Sequence, residues 1–191
     1  MRIAILLALA LAVPYSTPTG DVLVETVSGG PGKPREGIGR GIIDAPPERV
    51  FRALTDYEHW DEFMPFLTSS DAKPQADGTV VSEHRLKLPV PLGERHYRVR
   101  FRQRVEDGPA GRVWRIDWAY VPGSGDVAGH RGSWTLIARK PGRTLGVCRL
   151  WTDSGDATPL WAVGRGTAQT IPWIFHGLRQ HVRRSRYAGR V

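Results

Sequence analysis

The sequence predicts an α+β domain: a curved antiparallel sheet wrapped around one long C-terminal helix, with two short helices after the first strand. Three observations predict it. Apolar and polar residues alternate with period two in segment after segment between Gly37 and Thr152. A short helical stretch, opening at Asp44-Ala45-Pro46-Pro47, interrupts the strands early. Finally, Thr158 to Tyr187 carries Ile171, Ile174, Phe175, Leu178 and Val182 on one helical face. A single apolar-faced helix after a run of strands buries its stripe on the concave side of the sheet.

The chain has 191 residues, enough for one domain with its own core. Its 40% hydrophobic and 24% charged content is that of a globular protein. The 27 Lys and Arg against 19 Asp and Glu give a formal charge of +8. No nucleic-acid-binding motif accompanies that charge, so nucleic acid is not an expected partner. Two readings remain for it: a solvated basic surface, or an approach to an anionic membrane through Arg179, Arg183, Arg184 and Arg186.

At the N-terminus, Met1-Arg2 precedes an apolar run from Ile3 to Val13, with an A-x-A pattern at Ala10-Leu11-Ala12. Residues 1–20 therefore read as a signal peptide or targeting segment, and the protein as exported, periplasmic or extracellular. An uncleaved membrane anchor is the competing reading, although the run is short for a bilayer span. Residues 21–36 are rich in Pro, Gly, Ser and Thr and read as a linker, with Asp21 to Val27 as a short edge strand within it. The ligand-binding domain is assigned to 37–188. Cys148 is the one cysteine, so no internal disulfide forms.

Gly37 to Ile43 is a strand whose three glycines mark a bulge or a close packing partner. The helix that follows buries Val50, Phe51 and Leu54, and a second turn, Tyr57 to Met64, ends at Pro65. Thr79 to Leu88 puts Ser82, His84, Leu86 and Leu88 on one face. In His96 to Val105, Tyr97, Val99, Phe101 and Val105 oppose Arg98, Arg100, Arg102 and Arg104. Val113 to Val121 sets Trp114, Ile116, Trp118 and Tyr120 on one side. Trp134 and Leu136 share a face in Gly132 to Arg139, and in the last strand Leu145, Val147 and Trp151 oppose Cys148 and Leu150. Pro172, Gly164 and Gly166 divide the C-terminal helix, which is expected to break near Ile171. Pro159 to Gly166 and Pro172 to Tyr187 are then two pieces with a joint between them.

This order, with Ile43-Asp44-Ala45-Pro46-Pro47-Glu48-Arg49-Val50-Phe51, Leu54-Thr55-Asp56-Tyr57-Glu58-His59-Trp60 and Phe63-Met64-Pro65, resembles the START-like (SRPBCC) superfamily. Within it, the entry segment is similar to that of the polyketide cyclase/dehydrase and coenzyme-Q-binding group. The resemblance covers Gly37 to Tyr187 and implies the helix-grip fold, with a deep apolar cavity between sheet and last helix. It carries over no catalytic signature.

The candidate ligand-binding residues are Tyr97, Phe101, Trp114, Trp118, Trp134, Trp151 and Trp173, with His84, Arg149 and His176 as polar handles. Each has a plainer reading: the aromatics as core filling, His84 as a hydrogen-bonded core histidine, His176 and Arg149 as solvent-facing. Trp60 and Phe63-Met64-Pro65 are expected to pack the end of the cavity. No metal-ligand spacing, phosphate-binding loop, dinucleotide fingerprint or nucleophile elbow is present, so no cofactor and no metal are expected. The expected function is binding, with transport as an extension, of a hydrophobic small molecule or lipid. The alternatives are an aromatase/cyclase-type enzyme acting on a polyketide-like substrate, with His84 moving a proton, and a non-catalytic module with a filled core.

Overall fold

A computed structural model describes residues 12–28, 34, 36–90, 93–109, 111–139, 142–155 and 160–188, with the side chains of 160–168 excepted. Nine strands form one antiparallel sheet in the order β1-β2-β3-β9-β8-β7-β6-β5-β4. They are β1 (Val13–Thr17), β2 (Gly20–Val27), β3 (Glu36–Ile43), β4 (Leu67–Pro74), β5 (Val80–Lys87), β6 (Glu94–Gly108), β7 (Gly111–Tyr120), β8 (Gly129–Arg139) and β9 (Arg143–Asp153). From β4 to β9 the chain is a meander of neighbours. The one crossover lies between β3 and β4, where α1 (Pro47–Thr55) and a 3₁₀ turn (Tyr57–Glu62) carry the chain to the far edge.

Helix α1 starts where the sequence places it. Pro47 fills a first-turn position whose N–H needs no partner, and Glu48 suits the positive end of the dipole. Its buried face is Val50, Ala53 and Leu54; Phe51 is half-buried. In the following turn, the Trp60 indole donates to the Leu54 carbonyl over 3.0 Å and so holds a fully buried ring against the sheet.

The sheet extends further toward the N-terminus than the sequence reading allowed. Val13–Thr17 pairs with β2, and β2 pairs with β3, so part of the expected targeting segment and half of the expected linker belong to the sheet. β2 is an interior strand, and β1 is the edge. Of the apolar run from Ile3 to Val13, all but Ala12 and Val13 lies outside the described residues.

The second correction concerns the last helix. A single helix, α2 (Leu160–His181), runs through Pro172 without the expected break. Losing one N–H and crowding the preceding turn costs about 3 kcal/mol. Against that, Ile171, Ile174 and Phe175 are almost fully buried, each worth roughly 1.5–3 kcal/mol. Burial wins, and residues 160–166 and 172–181 of the two expected pieces are parts of one element, which ends before Tyr187; Ser185–Tyr187 is a separate 3₁₀ turn. α2 packs mainly on β3, β2, β9 and β1. The glycines of β3 permit this: a Cβ on Gly41 would come within 2.9 Å of Phe175 Cδ1 and 3.0 Å of Arg179 Nη2.

Arg179 is also placed differently from the expectation of a membrane-facing side chain. It is buried, and its guanidinium donates to the carbonyls of Ile42 (2.8 Å), Gly20 (2.7 Å) and Asp21 (2.8 Å), pinning the β1–β2 turn. Arg184 and Arg186 both pair with Glu62 at the end of the 3₁₀ turn, and Arg183 is exposed.

Candidate ligand cavity

Because α2 lies over the β1–β3 and β9 half of the sheet, the half from β5 to β8 is left to face a cavity of about 290 Å³. Trp60, Met64 and Pro65 close one side of it, as the sequence reading expected, whereas Phe63, expected with them, lines a second groove. Ile174 and Thr170 of α2 line the opposite side. Phe66 stands at the rim, 44% exposed and with a positive φ of 66°. That backbone turns the chain sharply from the 3₁₀ turn into β4.

The floor is built by strand alternation. His84 of β5, Tyr97 of β6, Trp118 of β7, His130 of β8, and Leu150 and Thr152 of β9 all point inward. Register sets them side by side: His84 pairs with Tyr97, and His130 with Thr152. Ring contacts join them across the floor, with centroids 5.9 Å apart for His84–Tyr97 and 5.1 Å for Tyr97–His130.

The titratable rings of the floor are uncharged. Burial, with the nearby His130 adding to it, pushes the His84 pKa down to about 3. Burial alone brings His130 down to about 4. The Tyr97 hydroxyl is pushed up by the same desolvation. Nε2 of His84 is buried with no hydrogen-bond partner, and so is Oγ of Ser154, also on the lining. Among the described lining residues the one formal charge is Arg95, half-buried, whose guanidinium donates to the Glu94 carbonyl over 2.8 Å.

Of the residues singled out in the sequence, the structure brings His84, Tyr97 and Trp118 together on the cavity. Phe101, Trp114 and Trp134 are inward and buried but off the lining, where they fill the core; Phe101 stacks on Tyr57 at 4.2 Å, and Trp134 meets Phe175 edge-on at 5.0 Å. Trp151 and Arg149 lie on the outer face of β9, which corrects the expectation that they point inward. The inner face of β9 is Thr144, Gly146, Cys148 and Leu150. Arg149 pairs with Glu36 over 3.3 Å, while Trp151 lies under the Arg131 guanidinium and donates to the Pro34 carbonyl over 3.2 Å. Trp173 and His176 line a second, more open groove beside Phe63 and Gly177, with Trp173 54% exposed and His176 bonded to Thr19 over 3.1 Å.

His130, Thr152, Ser154 and Arg95 were missed. Parity held the signal for three of them. Arg95 has the parity of Tyr97, His130 that of Trp134, and Thr152 that of Leu150; each strand begins earlier or ends later than the clean alternation suggested.

A curved antiparallel sheet gripping a C-terminal helix beside an apolar cavity is the helix-grip fold. The chain belongs to the family described as polyketide cyclase / dehydrase and lipid transport, whose model matches residues 43–171. Among solved structures it is similar to a STAR-related lipid transfer protein fragment from Xanthomonas axonopodis, at 21% identity and a TM-score of 0.73, covering 91% of this chain and 99% of that one. The lipid transfer and protein localization domain of human StarD13 superposes with a TM-score of 0.70 at 15% identity, covering 91% and 90%. An aromatase/cyclase from Streptomyces sp. R1128 gives 0.56 at 16% identity, covering 82% and 99%. At these identities the likeness is one of fold. No match was found among curated proteins.

Proposed function

We propose that this protein binds a small apolar molecule in the cavity beneath Trp60 and holds it without transforming it. The observation that carries this reading is the apolar cavity of about 290 Å³, walled largely by Met64, Leu86, Tyr97, Trp118, Val127, Leu150 and Ile174. That volume sits at the lower end of small-molecule pockets and suits a single ring system or one short tail better than a two-chain lipid. Affinity would come from burial of apolar ligand surface, roughly 25 cal/mol per Å² before ordering costs.

An enzyme of the cyclase kind needs a group that moves a proton near the working pH. His84 and His130 titrate at about 3 and about 4, which makes both weak bases at neutral pH. Binding without turnover is the reading that fits them.

Native mass spectrometry on protein purified from its own source tests the proposal. Wild type is expected to retain an apolar small molecule, and Leu150→Trp, which puts an indole into the cavity, is expected to lose it. Equal retention by both, or none by either across a panel of apolar probes, would sink the proposal.

A further inference from the structure

The cavity floor contains one hydrogen-bond chain whose direction can be worked out atom by atom. Nε1 of Trp118 can only donate, and it donates to Nε2 of His130 over 3.0 Å. Nε2 is therefore an acceptor without a proton, and the neutral ring carries its hydrogen on Nδ1. Nδ1 lies 3.0 Å from Oγ1 of Thr152, so it donates there. The Thr152 hydroxyl thus accepts from the histidine and keeps its own proton to give away. Among the described residues no acceptor takes that proton, and Thr152 is on the cavity lining. A second observation is independent of the chain: His84, 4% exposed and on the same lining, holds Nε2 without a partner.

We propose that Thr152, oriented by Trp118 through His130, donates to a neutral carbonyl oxygen on the ligand, which is thus an otherwise apolar ketone, ester or quinone. This rests on the apolar-ligand reading above. The donor is a neutral hydroxyl, and the two histidines of the floor are uncharged; Arg95, the one formal charge on the described lining, donates one N–H to the Glu94 carbonyl. A carboxylate oxygen at Thr152 would have a hydroxyl and an uncharged histidine as its nearest partners on the floor, which suits a neutral carbonyl better. A hydrocarbon with no acceptor would leave a buried hydroxyl unsatisfied.

Three probes of similar size separate these cases: 1-phenylbutan-1-one, butylbenzene, and 4-phenylbutanoate at pH 7.5. Titration followed by calorimetry or by tryptophan fluorescence reports binding, since Trp60 and Trp118 line the cavity. Thr152→Val removes the hydroxyl at nearly constant shape. It is expected to weaken the ketone about fivefold to tenfold, as one hydrogen bond predicts, with butylbenzene shifting less than twofold. Thr152→Ser keeps the donor and should restore ketone binding to within about threefold. An equal loss for ketone and butylbenzene, no loss for either, or tighter binding of the carboxylate than of the ketone overturns the proposal while leaving an apolar cavity standing. If none of the three probes binds, the apolar-ligand reading falls and this proposal falls with it.

Discussion

Gly39 of β3 lies directly beneath Ile171 of α2, with no room for a Cβ between them. The contact lets the helix axis settle close to the strand backbone, and it explains Gly39, as the Phe175 and Arg179 contacts explain Gly41. Gly39→Ala should therefore cost about 1–3 kcal/mol through overpacking. Gly108→Ala, whose added Cβ would meet its nearest neighbour at an ordinary 3.7 Å, should stay within about 0.5 kcal/mol. Urea unfolding curves compare the two; equal midpoints would show that helix and strand are not in tight contact.

Arg179 should matter more for stability than Arg183, Arg184 or Arg186. Its removal strands three carbonyl acceptors and opens the β1–β2 turn. Arg179→Ala is expected to cost about 3 kcal/mol, and Arg179→Lys to recover little, because one ammonium cannot match the fork geometry. Hydrogen exchange should show the loss concentrated in Val13–Val27. Uniform protection across the sheet in the alanine variant would contradict this.

Stability should fall in acid over a defined window. His84 and His130 titrate in the folded protein at about 3 and about 4, against an ordinary value of 6.5. The unfolded chain therefore binds protons first as pH drops. The histidines' contribution is complete above about 6.5 and is lost progressively toward the folded values, by about 1.4 kcal/mol per pH unit for each. His84→Leu removes one such group along with its unpartnered Nε2. The stability difference between pH 7.5 and pH 5.5 should shrink by about 1.4 kcal/mol in the variant. An unchanged difference would mean that His84 is already protonated or already exposed.

Trp173 and Trp151 should be silent in ligand binding. Trp173 is half exposed on the second groove, and Trp151 packs outside β9 under Arg131. Alanine at either position should leave the affinity for butylbenzene within about twofold of wild type. Trp118→Ala, which opens the cavity floor and frees His130 Nε2, should change it by more than tenfold. A large effect from Trp173→Ala would move the binding site to the groove.

Much of this architecture is legible in residue order. Period-two alternation assigns Tyr97, Val99 and Phe101 to one face because successive side chains leave a strand on opposite sides. The same rule puts Trp114, Ile116 and Trp118 together. Proline and an acid mark the start of α1 for reasons local to a helix end. Even His84 is readable as inward, from its parity with Leu86 and Ser82.

Alternation groups residues by face, but it does not say which face of a strand is inner. Trp151 belongs with Val147 and Arg149 in either case; only pairing of β9 between β3 and β8 turns that set outward. Likewise, a proline in a helix signals a break by local chemistry, and the burial of Ile171, Ile174 and Phe175 on the sheet overrides it. The Trp118–His130–Thr152 chain draws on three strands, so no stretch of sequence contains it. Local sequence determined the elements and their faces, because those follow from bonds and contacts a few residues long. The cavity and its donor were decided by the tertiary structure, because they depend on which distant faces meet and on how much of the sheet α2 leaves uncovered.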